Sequence, residues 1–148
     1  MTENQKKAIK CALNIVAYAP CTAKGLCDKL SKKGYTKEEV RYAAQYLISK
    51  GYINETELLY RTVRLRAEQG YGRRRIYVYV KQKGFAPRII EEHFDDACRE
   101  IDFIRYCRKR IKSSKTDDPD KLLASLGRYG YEYSVIKKAL QEEINEES

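Results

Sequence analysis

The feature of this chain that most constrains its fold is a segment of 23 residues that occurs three times. The three copies align without gaps as LCDKLSKKGYTKEEVRYAAQYLI, IYVYVKQKGFAPRIIEEHFDDAC and LLASLGRYGYEYSVIKKALQEEI. Each copy holds a glycine followed by an aromatic residue, and these glycines are Gly34, Gly84 and Gly130. Their separations of 50 and 46 residues indicate an array of supersecondary units.

Apolar residues within each copy follow the period of an α-helix, standing eight and four residues before the glycine and six and ten after it. The pairs before the glycine are Leu26 and Leu30, Ile76 and Val80, and Leu122 and Leu126. A glycine behind such a face is typical of a helix end, because glycine adopts the left-handed conformation at little cost. Further helices are expected to start at Thr36, which forms a capping box with Glu39, at Pro87, and at Asp118 before Pro119.

The middle copy contradicts this pattern locally, because Ile76–Val80 reads IYVYV, a run with strong strand propensity. No hairpin turn or second apolar run lies nearby to pair with it. Since Ile76 and Val80 align with leucines of the other copies, we predict a helix. Tyr77, Val78 and Tyr79 then add apolar surface to that helix.

A further helical segment precedes each copy: NQKKAIKCALNIVAYA, NETELLYRTVRLRAEQ, with Asn54 as the expected cap and Glu57 as its partner, and REIDFIRYCRKRIKSS. No helix breaker stands between Pro87 and Lys112, so the helices on either side of residue 100 are expected to follow each other almost directly. Ser113–Asp120 is the one long polar linker. The sequence predicts an all-α fold of three tandem three-helix repeats, 1–53, 54–99 and 100–148, in an elongated, curved array.

Charge favours a polyanionic partner, since 30 Lys and Arg face 21 Asp and Glu and the net charge is +9. Ten basic and four acidic residues lie in 1–53, ten and seven in 54–99, and ten of each in 100–148. We therefore expect any electrostatic binding surface on the first two thirds of the chain. Solvated surface charge is the alternative explanation.

Other classes of function find little support in the sequence. We expect no membrane span, no secretory signal, no metal site and no cofactor, because long apolar runs and clustered ligands are missing. The five cysteines form no C-x-x-C pair and are expected to be reduced thiols of a cytoplasmic protein. With a single histidine, His93, and no catalytic motif, an enzyme is not expected.

Two motifs resemble those of a known family. GYINETELLYRTVRLRAEQGYGRRRI, followed by KQKGF, resembles the central motif of the RecX family of bacterial regulatory proteins, and LGRYGYEYSVIKKAL resembles its C-terminal motif. The chain departs from the family at Arg73, where many members have proline, and at Tyr77–Tyr79, where charged and polar residues are usual. The resemblance extends over essentially the whole chain and includes the three repeats.

This resemblance implies a modulator of the RecA recombinase in DNA repair, recombination and the SOS response. Such proteins bind along the groove of the RecA–DNA filament and restrain ATP hydrolysis, strand exchange and coprotease activity. Direct binding to single- or double-stranded DNA without RecA is the alternative. We expect a monomer.

The basic and aromatic residues of the middle repeat form the candidate partner-binding site. They are Arg61, Arg64, Arg66, Tyr71, Arg73, Arg74, Arg75, Tyr77, Lys81 and Lys83. Arg73–Arg75 oppose the dipole of the helix that they open, which suggests an anionic partner. The alternative is ion pairing with Glu55, Glu57, Glu68 and neighbouring acidic residues on a solvated face.

Three interpretations of the tyrosines stay open at this point: interface, core, or base stacking for Tyr77 and Tyr79. Helix-turn-helix reading of a DNA major groove is disfavoured. The second helices of the first two pairs carry acidic residues, in TKEEV and PRIIEEHFDD, which would face phosphates.

Overall fold

The computed structural model describes residues 1–147, and Ser148 lies outside the described residues. These residues form nine α-helices and no strand: α1 Glu3–Tyr18, α2 Ala23–Lys32, α3 Lys37–Ser49, α4 Glu55–Glu68, α5 Arg73–Gln82, α6 Pro87–Arg99, α7 Phe103–Ser113, α8 Pro119–Arg128 and α9 Tyr133–Glu147. The predicted all-α class is confirmed. The IYVYV run lies inside α5, as the repeat alignment predicts.

Helix starts follow the capping signals of the sequence. Thr36 and Glu39 form the predicted reciprocal capping box at α3. The Asn54 side chain accepts a hydrogen bond from the backbone N–H of Glu57 at 3.1 Å. Asp118 accepts one from the backbone N–H of Asp120 at 3.0 Å. Local sequence is therefore sufficient to place these helix starts.

The three repeat glycines end α2, α5 and α8 with the same hydrogen-bond pattern. Gly34, Gly84 and Gly130 all have φ between 86° and 96°. The aromatic residue that follows each glycine donates its backbone N–H to the buried apolar residue four positions before the glycine, as Tyr131 does to Leu126 at 3.2 Å. This is the Schellman helix end, and it turns the chain towards the next helix.

Each group of three helices encloses its own apolar core. Fully buried members include Leu26, Leu30 and Leu47 in the first core, Leu59, Ile76 and Val80 in the second, and Cys107, Leu126 and Tyr131 in the third. Phe103 and Tyr106 pack against both the second and the third core. The cores fall within the predicted segments, and the boundaries of those segments as independent units stay a prediction.

Neighbouring groups join where the start of one helix meets the glycine loop of the next group. At the first junction the hydroxyl of Thr22, the N-cap of α2, donates to the Lys83 carbonyl at 3.2 Å. Glu55 accepts from the backbone N–H groups of Ala23 and Ala86 at 3.0 and 2.8 Å. One carboxylate therefore satisfies the starts of two helices in different groups.

The second junction is built from backbone groups. Gly72, the N-cap of α5, donates its N–H to the Tyr129 carbonyl at 2.8 Å, and Arg74 donates its N–H to the Gly130 carbonyl at 3.1 Å. The positive end of the α5 dipole thus meets the negative end of α8. A Cβ on Gly72 would lie within 3.0 Å of the Gly130–Tyr131 backbone, so only glycine fits there.

The helices around residue 100 are separated by a short break, as Glu100–Asp102 lie between α6 and α7. The Asp102 side chain accepts from the backbone N–H of Arg105 at 3.1 Å and caps α7. The polar linker before α8 matches the predicted position. Within residues 1–147, no helix combines the length and the apolar character needed to cross a membrane.

Candidate partner-binding face of the middle repeat

The ten predicted site residues separate into four groups on and around α4 and α5. Arg66 of α4, Tyr71 and Lys83 lie where α4 and α5 meet, with Arg66 and Lys83 against the Tyr79 ring. Arg73, Tyr77 and Lys81 lie on the opposite flank of α5, next to α6. Arg74 and Arg75 lie at the exposed start of α5, and Arg61 and Arg64 are exposed along α4. The sequence therefore identified one region but not its division into distinct surfaces.

Arg66 is enclosed by two tyrosine rings. Its guanidinium carbon lies 4.3 Å from the centre of the Tyr71 ring and 4.1 Å from that of Tyr79. Its Nη1 donates to Gln69 at 3.0 Å, whereas its buried Nε has no hydrogen-bond partner among the described residues. A flat cation between two π faces is a favourable arrangement that joins α4 to α5. Arg66 thus supports the fold of the middle repeat.

Tyr71 lies at the centre of a larger cation–aromatic cluster at the junction with the third repeat. Arg75 and Arg110 lie 5.2 and 5.7 Å from its ring centre, and Arg110 also stacks on Tyr129 at 3.3 Å. Arg110 and the Tyr131 hydroxyl both donate to the Gly70 carbonyl, at 2.6 and 2.8 Å. Tyr71 is therefore half-buried structure and not free contact surface.

Burial also controls the ionisation of groups near this junction. It raises the pKa of the Tyr131 hydroxyl to about 12 and that of the Cys107 thiol to about 12. Burial raises the pKa of the Cys98 thiol to about 11, against the opposing effect of nearby Arg73. These two thiols are protonated at neutral pH and are poor nucleophiles.

Arg73 forms ion pairs with acidic side chains of the same chain. It donates to Asp95 of α6, and its Nε lies 3.7 Å from Glu132. Partial burial lowers the pKa of its guanidinium, but the hydrogen bond with Asp95 and the neighbouring negative groups outweigh this effect and raise it. The Arg75 side chain donates to the Arg128 carbonyl at 3.0 Å. The unfavourable interaction of Arg73 and Arg75 with the α5 dipole is thus largely offset by partners within the molecule.

Ion pairing, the predicted alternative, is found at Arg73 with Asp95 and Glu132. Within residues 1–147, no ion pair joins Glu55, Glu57 or Glu68 to the arginines of the site. In the same part of the chain, the side chains of Arg61, Arg64 and Arg74 have neither an ion-pair nor a hydrogen-bond partner. These three cations are available to an external group.

The outward surface of α5 combines cations with exposed apolar groups. Tyr77 is 41% exposed and Val78 is 51% exposed. The Tyr77 ring contacts Phe94 edge to face at 5.3 Å, and Lys81 lies 5.0 Å from the Tyr77 ring centre. Tyr79 instead packs under Arg66 and Lys83. The two tyrosines therefore differ: Tyr77 is presented to solvent, and Tyr79 belongs to the packed flank.

A groove of about 530 Å³ runs between α5 and the loop that ends α8. We call it the α5–α8 groove, and its charged and apolar walls are formed by Arg73, Arg74, Arg75, Tyr77, Val78 and Arg128. Arg128, from the third repeat, is missing from the sequence-based site, as is Arg110. The repeat alignment could have placed Arg128 next to a glycine loop, but only the packing of two repeats brings it beside α5.

The remaining candidates take ordinary structural places. His93 is half-buried and meets the Tyr60 ring edge to face, with 6.0 Å between ring centres. Among residues 1–147, no group of three or more His, Cys, Asp and Glu side chains is arranged to hold a metal ion.

Fold and site together define a class: a basic, all-α protein of tandem helix triplets with an exposed cationic and apolar face. Curated relatives make the comparison more specific. The regulatory protein RecX of Legionella pneumophila is 33% identical over 85 residues, covering 57% of each chain. The regulatory protein RecX of Caldanaerobacter subterraneus is 29% identical over 138 residues, covering 91% of this chain and 70% of that protein.

Solved structures agree on the fold. The crystal structure of RecX from Lactobacillus salivarius superposes with a TM-score of 0.79 at 21% identity, covering 96% of this chain and 97% of that one. A second crystal structure, of a regulatory protein RecX, gives 0.76 at 20% identity, covering 92% and 72%. No protein-family model matches the chain. The chain spans little more than half the length of the Legionella relatives. The chain is thus similar in sequence to several proteins named regulatory protein RecX, and it shares the fold of RecX crystal structures.

Proposed function

We propose that this protein binds lengthwise in the groove of the RecA–DNA filament and modulates RecA, mostly by inhibiting ATP hydrolysis, strand exchange and coprotease activity. Sequence similarity to proteins named regulatory protein RecX is the observation that carries this proposal. The protein acts as a cytoplasmic monomer without catalytic chemistry or cofactor of its own. Its partner is the RecA filament.

The arrangement of the repeats supports binding to a repetitive partner. Three helix triplets in series offer successive surfaces, and contacts with successive filament subunits add their free energies. Inhibition then requires only that the protein binds one filament state more tightly than the others.

The exposed cations of the middle repeat supply the proposed contact. Arg61, Arg64 and Arg74 have no ion-pair or hydrogen-bond partner among the described residues, and Tyr77 and Lys81 are exposed along α5. Arginine and tyrosine are the residue types that dominate binding energy at protein interfaces. Arg66, Tyr71, Arg73, Arg75 and Lys83 contribute by holding this face in place.

Direct DNA binding is the second candidate, and the net charge of +9 favours it. Binding to phosphates releases counterions, so affinity for bare DNA would fall steeply as salt is raised. Affinity governed by a protein interface would depend less on salt.

The test measures ATP hydrolysis by RecA on single-stranded DNA while this protein is titrated in. We expect inhibition at well below one copy per RecA, because one bound copy contacts several subunits. Unchanged hydrolysis at equimolar protein would refute the proposal. Inhibition that disappears at moderate salt together with binding to bare DNA would favour the second candidate.

A further inference from the structure

We propose that the α5–α8 groove binds a short acidic peptide segment of a partner protein, with an apolar side chain of that segment against Tyr77 and Val78. The inference rests on the proposed function only in taking the partner to be a protein. It concerns a concave surface shared by the second and third repeats. Arg73, Arg74, Arg75 and Tyr77 of this surface belong to the predicted site, whereas Val78 and Arg128 do not.

The charges of the groove fit carboxylates. Arg74 and Arg128 are exposed on opposite walls, and within residues 1–147 neither side chain has an ion-pair partner. A guanidinium presents parallel N–H donors that match a carboxylate in a bidentate pair. Two such side chains facing one groove can hold two acidic residues of a peptide.

The apolar wall distinguishes a peptide from a simple anion. Val78 is 51% exposed and Tyr77 is 41% exposed, although Ile76 and Val80 of the same helix are fully buried. The Tyr77 ring is held by its edge-to-face contact with Phe94. A peptide that covers this ring would therefore cost little side-chain conformational entropy. Burial of a leucine or phenylalanine side chain here would add affinity that a phosphate cannot supply.

The surroundings of the groove disfavour nucleic acid as its occupant. Asp95 and Glu132 lie beside Arg73 at one end of the groove. A duplex carries one charge about every 1.7 Å of its axis, so its backbone would pass these carboxylates. A peptide can place its negative groups at Arg74 and Arg128 alone. The volume of the groove, about 530 Å³, lies in the range of small-molecule sites.

The experiment is a titration of the ¹⁵N-labelled full chain, followed by two-dimensional NMR. The probe is the blocked peptide Asp-Leu-Glu-Phe-Asp, and the matched probe is Asp-Ala-Glu-Ala-Asp. We expect the amides of Val78, Gly127 and Arg128 to shift in common, with the apolar peptide bound about fivefold more tightly. A short oligothymidylate is titrated in parallel and is expected not to compete for these amides.

Two variants and a control separate the contributions. Arg128→Glu should weaken the apolar peptide about tenfold or more, and Val78→Ser should remove the difference between the two peptides. Arg41→Glu, an exposed arginine of α3 with the same charge change, should leave the affinity unchanged. The spectrum of each variant reports whether it is folded.

Three results would overturn the inference: no groove shifts with wild-type protein, equal peptide affinity in Arg128→Glu, or oligothymidylate shifting the same amides more strongly. The outcome is separate from the RecA assay. Peptide binding without an effect on RecA would support the groove as a peptide site and reject the proposed function. Inhibition of RecA without peptide binding would support the proposed function and reject the peptide site.

Discussion

At the scale of single residues, neighbouring arginines of one helix have different roles. Arg64 and Arg66 both lie near the end of α4, two positions apart. Arg64 extends into solvent, whereas Arg66 is held between Tyr71 and Tyr79. Residue type alone therefore does not identify a binding residue, because the same guanidinium serves as packing material when aromatic rings enclose it.

This difference gives a prediction for stability. Arg66→Ala should lower the free energy of unfolding by about 1–2 kcal/mol, because two cation–π contacts and the packing of the side-chain stem are lost. Arg64→Ala on the same helix should change it by less than about 0.5 kcal/mol. Urea denaturation followed by circular dichroism measures both. Equal effects of the two substitutions would contradict a stabilising role for Arg66 between Tyr71 and Tyr79.

At the scale of elements, the junctions between repeats depend on where helices begin and end. The start of α2 lies on the loop after α5, and the start of α5 lies on the loop after α8. The equivalent loop at Gly34 receives no helix, and a Cβ built on that glycine would meet nothing within 4 Å. The three glycine loops are alike in backbone but differ in what covers them.

The second junction predicts a sharp difference between two glycines. Gly72→Ala should destabilise the protein by about 1–3 kcal/mol, because the added methyl group meets backbone atoms that cannot move aside. Gly127→Ala, at an exposed position of α8 with open space around it, should stabilise by about 0.5–1 kcal/mol through higher helix propensity.

Urea denaturation of both glycine variants checks this prediction. Hydrogen exchange adds a local readout, and protection should fall in Gly72→Ala at the backbone N–H groups of Gly72 and Arg74, which bond across the junction. A Gly72→Ala variant as stable as the parent would show that the two repeats are not in the close contact described above.

At the scale of the whole molecule, the net charge does not show where the positive and negative side chains lie. The third repeat is neutral by count, yet its cations concentrate on α7 and its anions on the end of α9. Arg108 forms ion pairs with Glu142, Glu143 and Glu146. These pairs neutralise Arg108 within the third repeat, whereas Arg61, Arg64 and Arg74 of the middle repeat have no ion-pair partner among the described residues. The location of the electrostatic binding surface in the first two thirds of the chain stays a prediction.

A charge-reversal pair tests the use of that surface. Arg64→Glu combined with Arg74→Glu should abolish binding to RecA filaments without unfolding the chain, because both side chains are exposed and unpaired among the described residues. Cosedimentation with filaments measures binding, and circular dichroism verifies folding. The control, Lys10→Glu with Arg41→Glu, has the same net charge and should still bind. If both double variants lose binding equally, overall charge and not this face governs association.

The sequence by itself determined the helices and their limits. Repeated apolar spacing, capping residues and glycines act within a few residues of the chain, so the helical state of IYVYV and the starts at Thr36, Asn54 and Asp118 could be predicted. The clustered arginines and tyrosines of the middle repeat also led to the prediction that it holds the partner-binding site, and this stays a prediction. All these signals are local in the chain or are properties of its composition.

Only the tertiary structure decided which side of each helix is free. Arg66 and Tyr71 are occupied by packing, Tyr77 is exposed, and Arg128 joins the site from a position 53 residues beyond Arg75. This is because the repeats meet at helix ends, where backbone groups, the Thr22 hydroxyl, the Glu55 carboxylate and the Arg110 guanidinium form hydrogen bonds between segments that are far apart in the chain. Those contacts set the orientation of one repeat on the next, and no side-chain pattern along the chain encodes that orientation directly.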